Sequence, residues 1–148
     1  MLTRDRDADK LRADVLAMRA EMARHKPAKG PLDAKLARGG LVDVEFIVHY
    51  LQLREGVGLV PSLPEAIRAL IDAGLVPEEL LAAHDMLNRL LVAGRLLAPD
   101  SEIPPPGVRP ALASACQCGN WDEMIAGFAE ARKAVAAIWA EVFGEKIE

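Results

Sequence analysis

Apolar residues recur along the chain at helical spacing, and hardly anywhere at the alternation of a strand. Over residues 3–25, Ala8, Leu11, Val15, Met18 and Met22 repeat at steps of three and four, with charges on the opposite face. This pattern predicts an amphipathic helix. Pro27, Gly30 and Pro31 break it. From about Leu41 to Arg54 apolar groups lie nearly all round, and Glu45, His49 and Gln52 form one narrow polar stripe. Such a helix is predicted to be the buried centre of a bundle, ending at Gly56 and Gly58. Ser62 with Glu65, and Pro64 inside the first turn, open a third helix that Gly74 stops. Pro77, Glu78 and Glu79 open a fourth, which reaches about Leu97 before Pro99 bars continuation. Pro99 to Pro110 holds five of the ten prolines and reads as a loop of polyproline character. A short fifth helix is predicted over about Pro110 to Gln117. Asn120 and Glu123 form a capping signature for the last, which runs to about Phe143. Its expected buried stripe is Trp121, Ile125, Phe128, Val135, Trp139 and Val142, and Gly144 ends it. The prediction is an all-α bundle of six helices in one domain. Residues 1–38 form an N-terminal helix and basic loop, and residues 39–148 the bundle proper.

Composition agrees and narrows the field. The 148 residues are 51% hydrophobic and 27% charged, which supports a packed core rather than disorder. Aromatics are only 4%, a bias toward helix over sheet. A net charge of −4 argues against a dedicated nucleic-acid binder. No run of about 18 apolar residues exists to cross a membrane, and charges throughout residues 1–30 exclude a signal peptide there. Cys116 and Cys118 lie too close for an ordinary bridge, so free thiols in a reducing cytoplasm are expected. The overall charge hides an asymmetry. Residues 1–40 hold ten Lys/Arg and six Asp/Glu, a net of +4, whereas residues 41–148 hold eight and sixteen, a net of −8. An anionic partner is therefore better sought in the first quarter.

The chemically informative segment lies there: Asp33-Ala-Lys35-Leu-Ala-Arg38-Gly39-Gly40-Leu41-Val-Asp43-Val-Glu45-Phe46. One reading is a phosphate-facing surface. Gly39 and Gly40 admit a close approach, the next amides point outward, and Lys35 and Arg38 add full charges. The other is structural, with Gly40 capping the helix, Asp43 reaching back, and Asp33 and Lys35 an exposed pair. Elsewhere the signals are weaker. Cys116 and Cys118 lack a second ligand pair, and His25, His49 and His84 share no ligand spacing. Arg89 and Arg95 read as phosphate contacts or as solvated cations. Glu45, His49 and Gln52 are expected to be a satisfied buried network rather than a catalytic set. Asp5, Asp7 and Asp9 lie on a charged helix where residues two apart do not face each other, so they read as a solvated face. No catalytic and no metal-binding residue is expected in this chain.

The segment resembles the signature of the helical domain of bacterial glutamine synthetase adenylyltransferases. The similarity includes Asp33-x-Lys35, then Gly39-Gly40-Leu41-x-Asp43-x-Glu45-Phe46, then Tyr50-Leu51-Gln52-Leu53. A looser version follows the catalytic domain of the related PII uridylyltransferases. One departure is His49, where the family usually has Gln. Asp43, and an end just after the last helix, are similar to the C-terminal, adenylylating half. The resemblance implies an enzyme that transfers AMP from ATP, with magnesium, to a tyrosine of glutamine synthetase. It also implies a response to glutamine and to the PII signal protein. The nucleotidyltransferase domain that does this carries a Gly-Ser motif and an Asp-x-Asp pair on a strand framework. This chain has no Gly-Ser, and its Asp5-Arg-Asp7 is helical in pattern. The chain is therefore expected to start inside a longer protein, behind that domain, and alone to bind neither ATP nor magnesium. Asp33, Lys35, Arg38, Gly39, Gly40, Asp43 and Glu45 are the candidates for the nucleotide cleft or the domain interface. The rivals are a stand-alone helical interaction module and the corresponding region of a PII uridylyltransferase.

Overall fold

The computed structural model describes residues 2–56 and 62–144, with side chains from residue 7 onward. Met1, Gly58 and the side chain of Asp5 lie outside the described residues. Six helices follow in order: α1 (Leu2–His25), α2 (Leu41–Glu55), α3 (Leu63–Asp72), α4 (Glu79–Leu97), α5 (Arg109–Ala115) and α6 (Trp121–Phe143). No strand occurs among the described residues, so the all-α bundle expected from periodicity is the observed architecture. The long helices α4 and α6 form the principal pair. Helix α2 packs on both and takes α1 and α3 against its other sides, while α5 bridges α4 and α6.

Local chemistry sets most boundaries. At the start of α6 the Asn120 side chain accepts a bond from the Glu123 amide at 2.8 Å. The Glu123 carboxylate accepts one from the Gly119 amide at 2.9 Å. This is the predicted capping signature, reaching one residue further back. Ser62 does occupy the N-cap of α3, but its hydroxyl makes no capping bond. The third helix ends with the Gly74 and Leu75 amides donating back to Ile71 and Leu70, a closure that needs the left-handed φ of +74° at Gly74. The fifth helix is shorter than predicted, because the chain turns at Cys116 and Gln117 takes a φ of +62°.

The core runs through Ile47, Val48 and Leu51 of α2, Leu87 and Leu90 of α4, and Met124, Phe128 and Val135 of α6, all buried. Each such side chain contributes roughly 1.5–3 kcal/mol by leaving water. Tyr50, Trp139 and Phe143 stack at one end, with ring centroids 4.8 and 4.4 Å apart. There Arg12 Nε donates to the Phe143 carbonyl at 2.7 Å, tying α1 to the C-terminus of α6.

Three expectations need correction. Met18 is 59% exposed, and Arg19 takes the buried place beside it, because the partner of that α1 position is a carboxylate. On α2, Glu45 and His49 are exposed and Gln52 half-buried, so the stripe faces solvent rather than forming a buried network. Leu53 is 67% exposed, so α2 is central without being enclosed. On α6 the buried line is Met124, Phe128, Ala131, Val135, Ile138 and Trp139, with Trp121, Ile125 and Val142 on its flanks.

Cys116 and Cys118 are both free. Burial, with Cys118 beside it, pushes the Cys116 thiol up to about 11, against the pull of Arg89. A thiol so raised is almost wholly protonated at pH 8, and the thiolate is the nucleophile. Cys118 is half-buried, with its Sγ 3.6 Å from the Cys116 carbonyl. Iodoacetamide at pH 8 should therefore label Cys118 first and reach Cys116 only on unfolding, as read by peptide mass spectrometry. Faster labelling of Cys116 would contradict its placement.

Candidate functional site

The segment from Asp33 to Glu45 is a tight turn wrapped over the start of α2, and its buried members are engaged with the backbone. Asp33 is 5% exposed. One of its carboxylate oxygens accepts from the Lys35 and Leu36 amides at 3.1 and 2.9 Å, the other from the Lys29 amide at 2.9 Å. It orders the loop, and the exposed pair with Lys35 that spacing suggested is not formed. The Leu41 and Val42 amides, which one reading turned outward, donate to the Ala34 and Lys35 carbonyls at 2.8 and 3.1 Å. The helix start is thus closed by its own loop, and the full charges of Lys35 and Arg38, both exposed, are what the segment offers to solvent.

Asp43 is completely buried. It is ion-paired to Arg19 of α1, with a second contact at 3.3 Å from the other guanidinium nitrogen. Its Oδ2 also accepts the Gly39 amide at 2.7 Å. One carboxylate therefore joins α1, α2 and the diglycine turn. Gly39 has a φ of +75°, and a Cβ there would overlap the Arg132 carbonyl oxygen and lie 3.0 Å from its carbonyl carbon. Gly40, at the N-cap, is also crowded, with a Cβ falling 2.6 Å from the Ala34 oxygen. Arg132 Nε then donates to the Arg38 carbonyl at 2.8 Å. The turn is held from below by α6 and from one side by α1.

Beside it opens a cavity of about 640 Å³, between the end of α1, the 26–36 loop and the C-terminal end of α4. Asp33 and Lys35 line it, together with Lys26, Lys29 and Arg95. The other candidates, Arg38, Gly39, Gly40, Asp43 and Glu45, do not. Ser101 also lines it. Its φ of +60° turns its carbonyl to accept the Leu32 amide at 2.8 Å, and Gly30 lies against the same carbonyl. Sequence reasoning missed Arg19, Arg132 and Ser101. A signal for Arg19 was present, since Arg12 and Arg19 fall seven apart on the apolar stripe of α1. Among the described residues no three His, Cys, Asp or Glu converge to hold a metal, and Asp7 and Asp9 are exposed. No described helix is long and apolar enough to cross a membrane.

Residues 9–143 match the family model described as GlnD PII-uridylyltransferase. Several relatives are named bifunctional glutamine synthetase adenylyltransferase/adenylyl-removing enzyme. The one from Caulobacter vibrioides is 43% identical over 98 residues, covering 64% of this chain and 9% of that protein. The one from Chromobacterium violaceum is 41% identical over 106 residues, covering 65% and 12%. The one from Bordetella bronchiseptica is 36% identical over 135 residues, covering 84% and 14%. No solved structure matches. The chain spans about a tenth of the length of these relatives. With nearly its whole length aligned to the family model, the chain belongs to the GlnD PII-uridylyltransferase family.

Proposed function

We propose that the chain is the helical domain of the adenylylating half of a cytoplasmic glutamine synthetase adenylyltransferase. It stands behind a nucleotidyltransferase domain that moves AMP from ATP to a tyrosine of glutamine synthetase, under control of the PII signal protein. The names of the relatives support this choice over a uridylyltransferase or a stand-alone interaction module, and so does Asp43 with Glu45-Phe46 in the segment. The residues described here do not fit magnesium, so in this reading the metal belongs to the catalytic domain.

The observation that carries the reading is the rigid turn. Asp33, Asp43 and the α6 backbone hold it by buried contacts, its exposed members Lys35 and Arg38 carry charge into solvent, and Lys35 does so at a basic cavity. A rigid support with projecting cations suits the closing of one side of a nucleotide cleft. The chain's share is positioning, not catalysis. Mixed with glutamine synthetase, ATP and magnesium, the chain alone should transfer no AMP, whereas the longer protein that contains it should. AMP incorporation by the chain alone, followed with labelled ATP, would overturn this division of roles.

A further inference from the structure

The basic cavity extends well beyond the motif that led to it. Lys26 and Lys29 come from the stretch after α1, Lys35 from the turn, and Arg95 from the last turn of α4, some 60 residues away in sequence. Among the described residues none of these four is in an ion pair or a side-chain hydrogen bond. Elsewhere Arg12, Arg19, Arg24, Arg54, Arg109 and Arg132 each have a partner, whereas Arg38 and Arg68 stand singly in solvent, so it is the convergence of four unpaired cations on one hollow that sets this cavity apart. The one carboxylate in the cavity, Asp33, has both oxygens turned to backbone amides. His25, at the rim, is held by Glu21 at 2.8 Å. Arg95 gains something from the α4 C-terminus, but no helix end accounts for Lys29 or Lys35. Four unpaired cations around one hollow repel each other unless an anion joins them. Met22, Leu91 and Pro99 give the same hollow an apolar wall.

We propose that this cleft binds a nucleoside polyphosphate without a metal ion, its phosphates on Lys26, Lys29, Lys35 and Arg95 and its base against Met22, Leu91 and Pro99. The inference rests on the reading that Lys35 faces phosphate, and deepens it with residues outside the motif. It also departs from the expectation that the chain alone binds no nucleotide. That expectation followed from the missing metal carboxylates, whereas side-chain cations hold phosphate oxygens directly.

The test is titration calorimetry of the 148-residue chain at low salt with EDTA, using ATP, inorganic tripolyphosphate and AMP. ATP should bind at micromolar to submillimolar concentration. AMP should bind about tenfold more weakly, having lost two phosphates, and tripolyphosphate more weakly than ATP, having no base. Arg95→Ala and Lys29→Ala should each weaken ATP about tenfold. Arg68→Ala, in a separate acidic hollow between α3 and α4, should leave binding unchanged. Circular dichroism should show all three variants folded, since Lys29, Arg68 and Arg95 are exposed or at the rim of the fold. No heat with millimolar ATP, unchanged affinity in Arg95→Ala, or tripolyphosphate as tight as ATP would each overturn the proposal. Arg95 lies outside the motif, so these outcomes are distinct from a failure of Lys35→Ala to impair AMP transfer in the longer protein.

Discussion

Asp43→Ala should be among the most destabilising single substitutions in the chain. The residue is fully buried, and its carboxylate is shared between the Arg19 guanidinium and the Gly39 amide. Removing it strands the Arg19 charge, itself only 5% exposed, in a place water cannot reach. Loss of one partner of a buried ion pair costs about 3–5 kcal/mol. For a domain of this size that lowers the melting temperature by roughly 6–20 °C. The pair itself need not be a large net source of stability, because desolvation of both ions offsets most of their attraction. This gives the prediction its sign test. Adding Arg19→Met to Asp43→Ala should raise the melting temperature again, since the stranded charge is gone. Recovery should be incomplete, because the buried Gly39 amide still lacks its acceptor, a loss of about 1–3 kcal/mol. A double variant less stable than Asp43→Ala would show that the stranded arginine is not the cause.

Gly39→Ala should come close to it. Two independent penalties meet at this position. A φ of +75° costs an L-residue roughly 1–2 kcal/mol. The added methyl also meets the backbone of Arg132 in the middle of α6, which cannot yield as the end of a side chain would. Overpacking of this kind typically costs about 1–3 kcal/mol. Gly74 separates the two terms, because it has a φ of +74° with nothing within 4 Å of an added Cβ. Gly74→Ala should therefore show only the conformational cost. Urea denaturation of both variants is the check. Equal losses would mean that α6 does not press on the turn.

Helix existence and most helix ends were legible because their causes are local. The spacing of Leu41 to Arg54, the Asn120–Glu123 cap and the stop at Gly74 need no knowledge of the rest of the chain. The errors arose where a distant partner decides. Periodicity puts Met18 on the buried stripe of α1 and does not single out Arg19, because a charge is buried only where a partner meets it, and that partner is the Asp43 carboxylate across the α1–α2 contact. Glu45 and His49 were expected inside because α2 looked apolar all round. Its neighbours leave that edge open, and Leu53 is exposed beside it. The motif was legible as a unit, but not the division of labour within it. Spacing alone does not reveal that Asp33 gathers three amides, or that Arg95 from α4 stands across the hollow from the Lys26–Lys35 stretch.

That division of labour, with buried residues holding the turn and exposed Lys35 meeting phosphate, is tested most directly by one variant in the longer protein. Lys35 is exposed, and an exposed loop lysine cut to alanine changes stability by no more than about 0.5 kcal/mol. A charge-assisted phosphate contact, by contrast, is worth on the order of 10- to 100-fold in rate or apparent ATP affinity. AMP transfer to glutamine synthetase by Lys35→Ala should therefore fall by about that factor across ATP concentrations, while the melting curve stays at the wild-type position. Transfer at the wild-type rate with an unchanged melting curve would reduce the turn to a connector and contradict the account.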